Sequence, residues 1–120
     1  MNMGVIQIYG IRNCNTVKNG LEWLKKHRVD YEFHDFKVEG VTDARLKAWV
    51  SQVGWESLVN RKGLTWRQLD DKTKASITSA AKAIPLMKAR TSVIKRPIVE
   101  RDGRVLALGF DEDEYGKVFS

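Results

Sequence analysis

The stretch from Val5 to Leu24, VIQIYGIRNCNTVKNGLEWL, decides the fold: an apolar run stops in it at Gly10, and a helical pattern begins beside the chain's one cysteine, Cys14. Val5, Ile6, Ile8 and Tyr9 make a short β-branched and aromatic run closed by glycine, which predicts a buried strand. From Asn15 onward Val17, Leu21 and Leu24 recur at i, i+4 and i+7, while Lys18, Glu22, Lys25 and Lys26 fall outside that stripe. That spacing predicts an amphipathic helix. Asn13, Asn15 and Thr16 are all cap-type residues, so the start can fall a residue either way, and each choice leaves Cys14 in the first turn or just before it. Backbone N–H groups without partners inside the helix then point toward the sulfur. Together with the positive end of the helix dipole, Arg12 and Lys18, they favour a thiolate over a thiol and also favour a bound anion. The plain alternative is that Cys14 is a small buried apolar side chain, the commonest fate of a free cysteine.

Working outward, Tyr31 to Phe36 alternates apolar with polar residues, the pattern of a half-buried strand. Strand, helix, strand implies a parallel pair joined by a right-handed crossover. Gly40 breaks the pattern, and Thr42 is suited to cap a helix in which Leu46, Val50 and Val53 share a face, with Val41 and Leu46 at staple spacing and Gly54 as the stop. Asn60-Arg-Lys-Gly63 is polar, ends in glycine and lies between apolar neighbours, so it reads as a loop that displays Arg61. Residues 72–90 read as helical, with Ile77, Ala80, Ala81 and Ile84 on one side and Pro85 expected to open a second short helix at its first turn. Arg96-Pro97 suits a strand's first residues, since proline donates no ladder hydrogen bond. Ile98-Val99 and Val105, Leu106 and Leu108 flank Asp102-Gly103, a two-residue hairpin signal of type I′. Asp111 and Glu114 sit at N-cap and N3 of a final helix bracketed by Phe110 and Tyr115. The periodicities give an α/β chain, read as a single domain over 1–120: core segments at about 1–39 and 93–120 enclose a helical insert at about 40–92.

A chain of 120 residues, 42% apolar with four Trp, three Tyr and four Phe, is enough for one compact core. No stretch approaches the length of a membrane span, and the N-terminal residues lack the order of a signal peptide, so a cytoplasmic location is expected. With one cysteine there is no internal disulfide, and any redox cycle must take its second thiol from elsewhere. The net charge of +6 is unevenly spread: residues 82–104 hold seven basic residues against Glu100 and Asp102, while 105–120 hold Lys117 against Asp111, Glu112, Asp113 and Glu114. The basic segment suits an acidic partner protein or an anionic substrate. No helix-turn-helix or aromatic-basic RNA motif accompanies it, so specific nucleic-acid binding is not expected. Zinc-type spacing, Walker glycines and internal repeats are missing, and with no heptad pattern a monomer is expected. His27 and His34 stand apart in sequence and read as solvated or structural.

The run YGIRNCNTVKNGLEWL, with the later segment Val93 to Phe110, VIKRPIVERDGRVLALGF, resembles the arsenate-reductase-like family, also called ArsC/Spx, and within it most closely the YffB branch. The second segment carries an arginine directly before a proline, then a hairpin. The resemblance implies a thioredoxin-like mixed sheet, β-α-β then β-β-α, with a helical insertion. It implies Cys14 as the catalytic nucleophile, a cis Arg96–Pro97 bond with Pro97 beside the thiol, and Arg96 and Arg61 as binders of an oxyanion, for which a planar guanidinium fork is suited. Arg12, Asn15, Thr16 and Lys18 complete the expected anion- or thiol-binding surface. No bound cofactor or metal is implied; glutathione is the expected co-substrate, or a glutaredoxin-type protein the resolving partner. The alternative is a non-catalytic regulator of the Spx type that binds a protein partner. Two departures stand out. Arsenate reductases of this type use a third arginine in the strand after the hairpin, where this chain has apolar Val105 to Leu108 and an Arg104 out of line. Spx-type regulators often carry Cys-x-x-Cys, whereas here Cys14 is followed by Asn15, Thr16 and Val17.

Overall fold

The expected strand forms as β1, Ile6–Gly10, and the helix after it as α1, Asn15–Lys26, in the computed structural model, which describes residues 4–120. Val5 falls just outside the strand and is exposed. Strand β2, Tyr31–Asp35, runs parallel to β1 with Ile6 opposite Tyr31 and Gly10 opposite Asp35. A short helix α2, Phe36–Glu39, follows it. The chain divides into two compact units: residues up to Glu39 together with Arg96–Ser120, and the intervening Gly40–Lys95.

In the first unit β3, Ile98–Arg101, pairs antiparallel with β1, and β4, Arg104–Leu108, pairs antiparallel with β3, giving the sheet order β2-β1-β3-β4. The last helix, α8, spans Glu112–Val118. Its N-cap Asp111 accepts a hydrogen bond from Glu114 N–H at 2.9 Å, so the acidic segment begins a helix as expected. Asp102 and Gly103 take φ of 51° and 80°, the left-handed pair that a type I′ turn requires. One correction concerns β4: Val99 lies opposite Ala107 but Glu100 opposite Val105, so Leu106 is an extra residue in a bulge that simple alternation does not foresee.

The side of the sheet bearing Ile6, Ile8, Val99 and Ala107 packs with Trp23 and Leu24 of α1 and Tyr115 of α8. Fully burying a side chain such as Leu24 contributes about 1.5–3 kcal/mol. Tyr115 is fully buried, and its hydroxyl donates to the Gly109 carbonyl at 3.0 Å, which removes the penalty of an unmatched polar group. Burial, aided by the nearby Glu114 carboxylate, pushes its ionisation far above the usual phenol range. Both histidines make structural contacts: His27 stacks on Trp23 at 3.8 Å, and His34 stacks on Tyr9 at 4.7 Å with Nδ1 3.0 Å from Glu39 Oε1.

The second unit holds α3 (Asp43–Val53), α4 (Trp55–Leu58), α5 (Leu64–Arg67), α6 (Asp71–Ser76), α7 (Ala80–Ala89) and a 3₁₀ turn at Thr91–Val93. Thr42 caps α3, its Oγ1 accepting from Arg45 N–H at 3.2 Å, and Gly54 ends it at φ 83°. The fully buried residues of α3 are Leu46 and Trp49, while Val50 and Val53 are half-buried, so the inward face is rotated toward the larger indole. The helix break expected at Pro85 lies instead at 77–79. Asp70 caps α6 by accepting from Thr73 N–H at 2.6 Å, that helix stops at Ile77, and α7 restarts after Ser79 with Pro85 as its sixth residue. Pro85 and Ala81 are both exposed, so the lost hydrogen bond falls on the wet side, and Ala83 and Met87 rather than Ala80, Ala81 and Ile84 form the buried face. Among the described residues no helix is long and apolar enough to cross a membrane.

Candidate functional site

Cys14 occupies the N-cap of α1, with extended backbone (φ −141°, ψ 123°) and its carbonyl accepting from Lys18 N–H at 2.9 Å. Thr16 and Val17 are then N2 and N3, the positions whose N–H groups face a cap side chain. The sulfur makes no capping hydrogen bond of ordinary geometry, yet both N–H dipoles lie close enough to act on it. Partial burial pushes the thiol's pKa up, but the Val17 N–H, the hydrogen bond and charge of the Arg96 guanidinium, and the Thr16 N–H together outweigh it and hold the thiol below its ordinary value. Those donors raise the fraction of thiolate near neutral pH, and the half-buried position of Cys14 leaves the sulfur accessible.

Two glycines let these pieces meet. A methyl group at Gly10 would sit 2.8 Å from Val17 Cγ2 and 3.7 Å from Arg96 Cβ, so the end of β1, the first turn of α1 and Arg96 converge there. A methyl at Gly20 would come within 3.3 Å of the Tyr115 hydroxyl and 3.4 Å of Pro97 Cγ, so α1 offers a bare face on which Pro97 rests. The Arg96–Pro97 bond is cis, and Pro97 is buried with its carbonyl accepting from Gly109 N–H at 2.8 Å.

The remaining expected site residues fare differently. Arg12 lays its guanidinium over Phe33 of β2, 5.0 Å from the ring centroid, and its main-chain N–H donates to Asp35 Oδ2 at 3.3 Å. Asn15 and Lys18 are exposed on the first turn of α1. Thr16 acts through its main chain. Arg61 belongs to the second unit, in the turn closed by Gly63 N–H donating to the Asn60 carbonyl at 3.2 Å. There its guanidinium lies over Trp55 at 5.3 Å and 3.4 Å from Glu56 Oε2, an exposed pair that is readily exchanged for another anion. Val17 N–H was not singled out from the sequence, although fixing Cys14 as the N-cap would have assigned it, three residues on.

A four-stranded mixed sheet in β-α-β then β-β-α order, with a thiol at the entrance of its first helix faced by the arginine before a proline, defines a thioredoxin-like thiol protein. The chain belongs to the ArsC family, whose profile matches residues 9–118. A solved structure of a YFFB protein is 40% identical and superposes with a TM-score of 0.89, over 97% of this chain and all of that one. An arsenate reductase (ArsC) related protein from Brucella melitensis is 42% identical with a TM-score of 0.78, over 96% of this chain and 94% of that one. The global transcriptional regulator Spx of Streptococcus pyogenes is 28% identical over 85% of this chain and 75% of its own length.

Proposed function

We propose that this protein is a thiol reductase in which Cys14 is the nucleophile and an external thiol completes the cycle. The observation that carries the reading is the half-exposed sulfur at the N-cap of α1, favoured as thiolate by Arg96 and by the N–H groups of Val17 and Thr16. On a disulfide substrate the Cys14 thiolate attacks one sulfur, a new S–S bond forms, and the other sulfur leaves as a thiolate that takes a proton from water. Glutathione, or a glutaredoxin-type thiol, then attacks the substrate sulfur and releases Cys14 as thiolate. On an oxyanion the sulfur attacks the central atom, and one oxygen takes up protons from solvent and leaves as water. The external thiolate next attacks the Cys14 sulfur, the electron pair passes to the central atom, and a second glutathione frees the cysteine as glutathione disulfide forms. Arg96 balances part of the charge of such an anion. An apolar Val105 to Leu108 in place of a third arginine favours a disulfide or weakly charged electrophile over arsenate.

The test combines two measurements. Alkylation of Cys14 by a neutral reagent, followed against pH, should titrate below the ~8.5 of an ordinary thiol, and glutathione with hydroxyethyl disulfide should turn over in the wild type and not in Cys14→Ser. An ordinary thiol titration with no turnover refutes the proposal. A second reading, a non-catalytic regulator, is favoured by the similarity to Spx across most of the chain. It requires that Cys14→Ser keep cellular function while charge reversal at Lys88 and Arg90 abolishes capture of an acidic partner; both are exposed, Lys88 lying 3.4 Å from Asp43.

A further inference from the structure

Arg96 acts on Cys14 from the position just before Pro97, and Pro97 is held by a chain of contacts that ends at Tyr115 inside the same compact unit. Past the end of β4 the backbone turns at Gly109, whose φ of 84° lies in the left-handed region. Both main-chain groups of this buried glycine are used. Its N–H donates to the Pro97 carbonyl at 2.8 Å, and its carbonyl accepts from the Tyr115 hydroxyl at 3.0 Å. Gly20 of α1 leaves room for the arrangement, since a methyl there would lie 3.3 Å from the Tyr115 hydroxyl and 3.4 Å from Pro97 Cγ. The helix that makes this room is the one that carries Cys14 at its N-cap. The tyrosine ring is fixed by its neighbours, meeting Trp23 edge-on at 5.5 Å and Phe110 edge-on at 4.9 Å. Burial keeps the phenol protonated beyond the range in which a thiol titrates, so its hydroxyl stays a donor throughout.

We propose that the Tyr115 hydroxyl positions Arg96: through Gly109 it fixes the backbone at Pro97, and so sets how the guanidinium approaches Cys14. Tyr115 and Gly109 act through Arg96 and are positioning residues. Phenylalanine would fill the same core volume, so packing alone does not require the hydroxyl. What the hydroxyl adds is a directional bond to one buried carbonyl. Without it the Gly109 carbonyl is left unmatched, and the backbone that anchors Pro97 is free to shift toward another donor. For its catalytic meaning the proposal rests on the reading of Cys14 as a nucleophile, but its test reads the thiol and needs no substrate.

The experiment is the alkylation rate of Cys14 by iodoacetamide against pH in the wild type, Tyr115→Phe, Arg96→Ala and the double variant Tyr115→Phe/Arg96→Ala. Removing the hydroxyl should move the thiol titration upward toward that of Arg96→Ala, slowing alkylation near neutral pH roughly two- to fivefold. The double variant should match Arg96→Ala alone, because a positioning residue has nothing left to position. Ile6→Ala, which removes a buried side chain of the same core on β1, should lower stability and leave the titration where it was. A wild-type titration in folded Tyr115→Phe, additive effects in the double variant, or an equal shift in Ile6→Ala overturns the proposal. If Tyr115→Phe does not fold, Gly20→Ala carries the same expectation, since its methyl presses on both the Tyr115 hydroxyl and Pro97 Cγ. Absence of disulfide turnover in the wild type, with this pattern of titrations intact, would count against the reductase reading alone.

Discussion

At the scale of single residues, the chemistry depends on Cys14 being easier to ionise in the folded chain than in the unfolded one. Burial works against that, and the Val17 N–H, the Arg96 guanidinium and the Thr16 N–H overcome it. Linkage then has a definite sign. The folded thiol releases its proton at lower pH than the unfolded thiol, so the unfolded state binds more protons in the interval between the two pKa values and stability rises with pH across it. The stabilisation is complete above the unfolded value of ~8.5 and is lost as pH falls through the folded value. The urea midpoint of the wild type minus that of Cys14→Ser should therefore increase from mildly acidic to alkaline pH, the pH dependence of the shared groups cancelling. A flat or falling difference would show that the sulfur is not held as described. Arg96 and Cys14 belong to opposite ends of the chain, and nothing in the local pattern around Arg96-Pro97 distinguishes a plain strand start from a guanidinium aimed at a thiol.

Among the elements, those set by local chemistry formed where the residues indicated. Thr42, Asp111 and the Asp102-Gly103 pair act through bonds or dihedral preferences confined to a few neighbours, so their roles are readable without the rest of the chain. Helix α7 is the counter-example. Proline within a helix argues for a break, but Pro85 lies on the exposed side of α7 while Ala83 and Met87 are wholly buried on the other. Packing of that buried face carries the helix through the proline. Substituting Pro85→Ala should then restore a hydrogen bond to the Ala81 carbonyl and raise stability by about 1–3 kcal/mol, visible as a higher urea midpoint. An unchanged or lower midpoint would mean that α7 is built around the proline's restricted φ. The buried faces of α1 and α3 show a related limit, since Trp23 and Trp49 turn inward beside leucines although the period alone ranks several stripes equally.

For the whole molecule, the net charge of +6 bears on how fast a charged disulfide meets the sulfur. An anionic disulfide such as glutathione disulfide should react with Cys14 faster at low ionic strength, and the rate should fall as salt rises from ~0.02 to ~0.3 M, as the screening length shortens. The rate with neutral hydroxyethyl disulfide should change far less; equal salt dependence for both would remove any steering role for the charge. The sequence by itself determined the order of the four strands and of helices α1, α3 and α8, the turn and cap residues, and the placement of Cys14 at a helix entrance, because each follows from neighbours a few positions apart. Only the tertiary structure decided that β3 inserts beside β1, that Gly10 and Gly20 give up their side chains to let Val17, Arg96 and Pro97 close in, and that a guanidinium from the far end of the chain faces the sulfur. The physical reason is that such contacts join residues with no shared local pattern, so many pairings satisfy the same periodicities and only the packing of the closed chain selects among them.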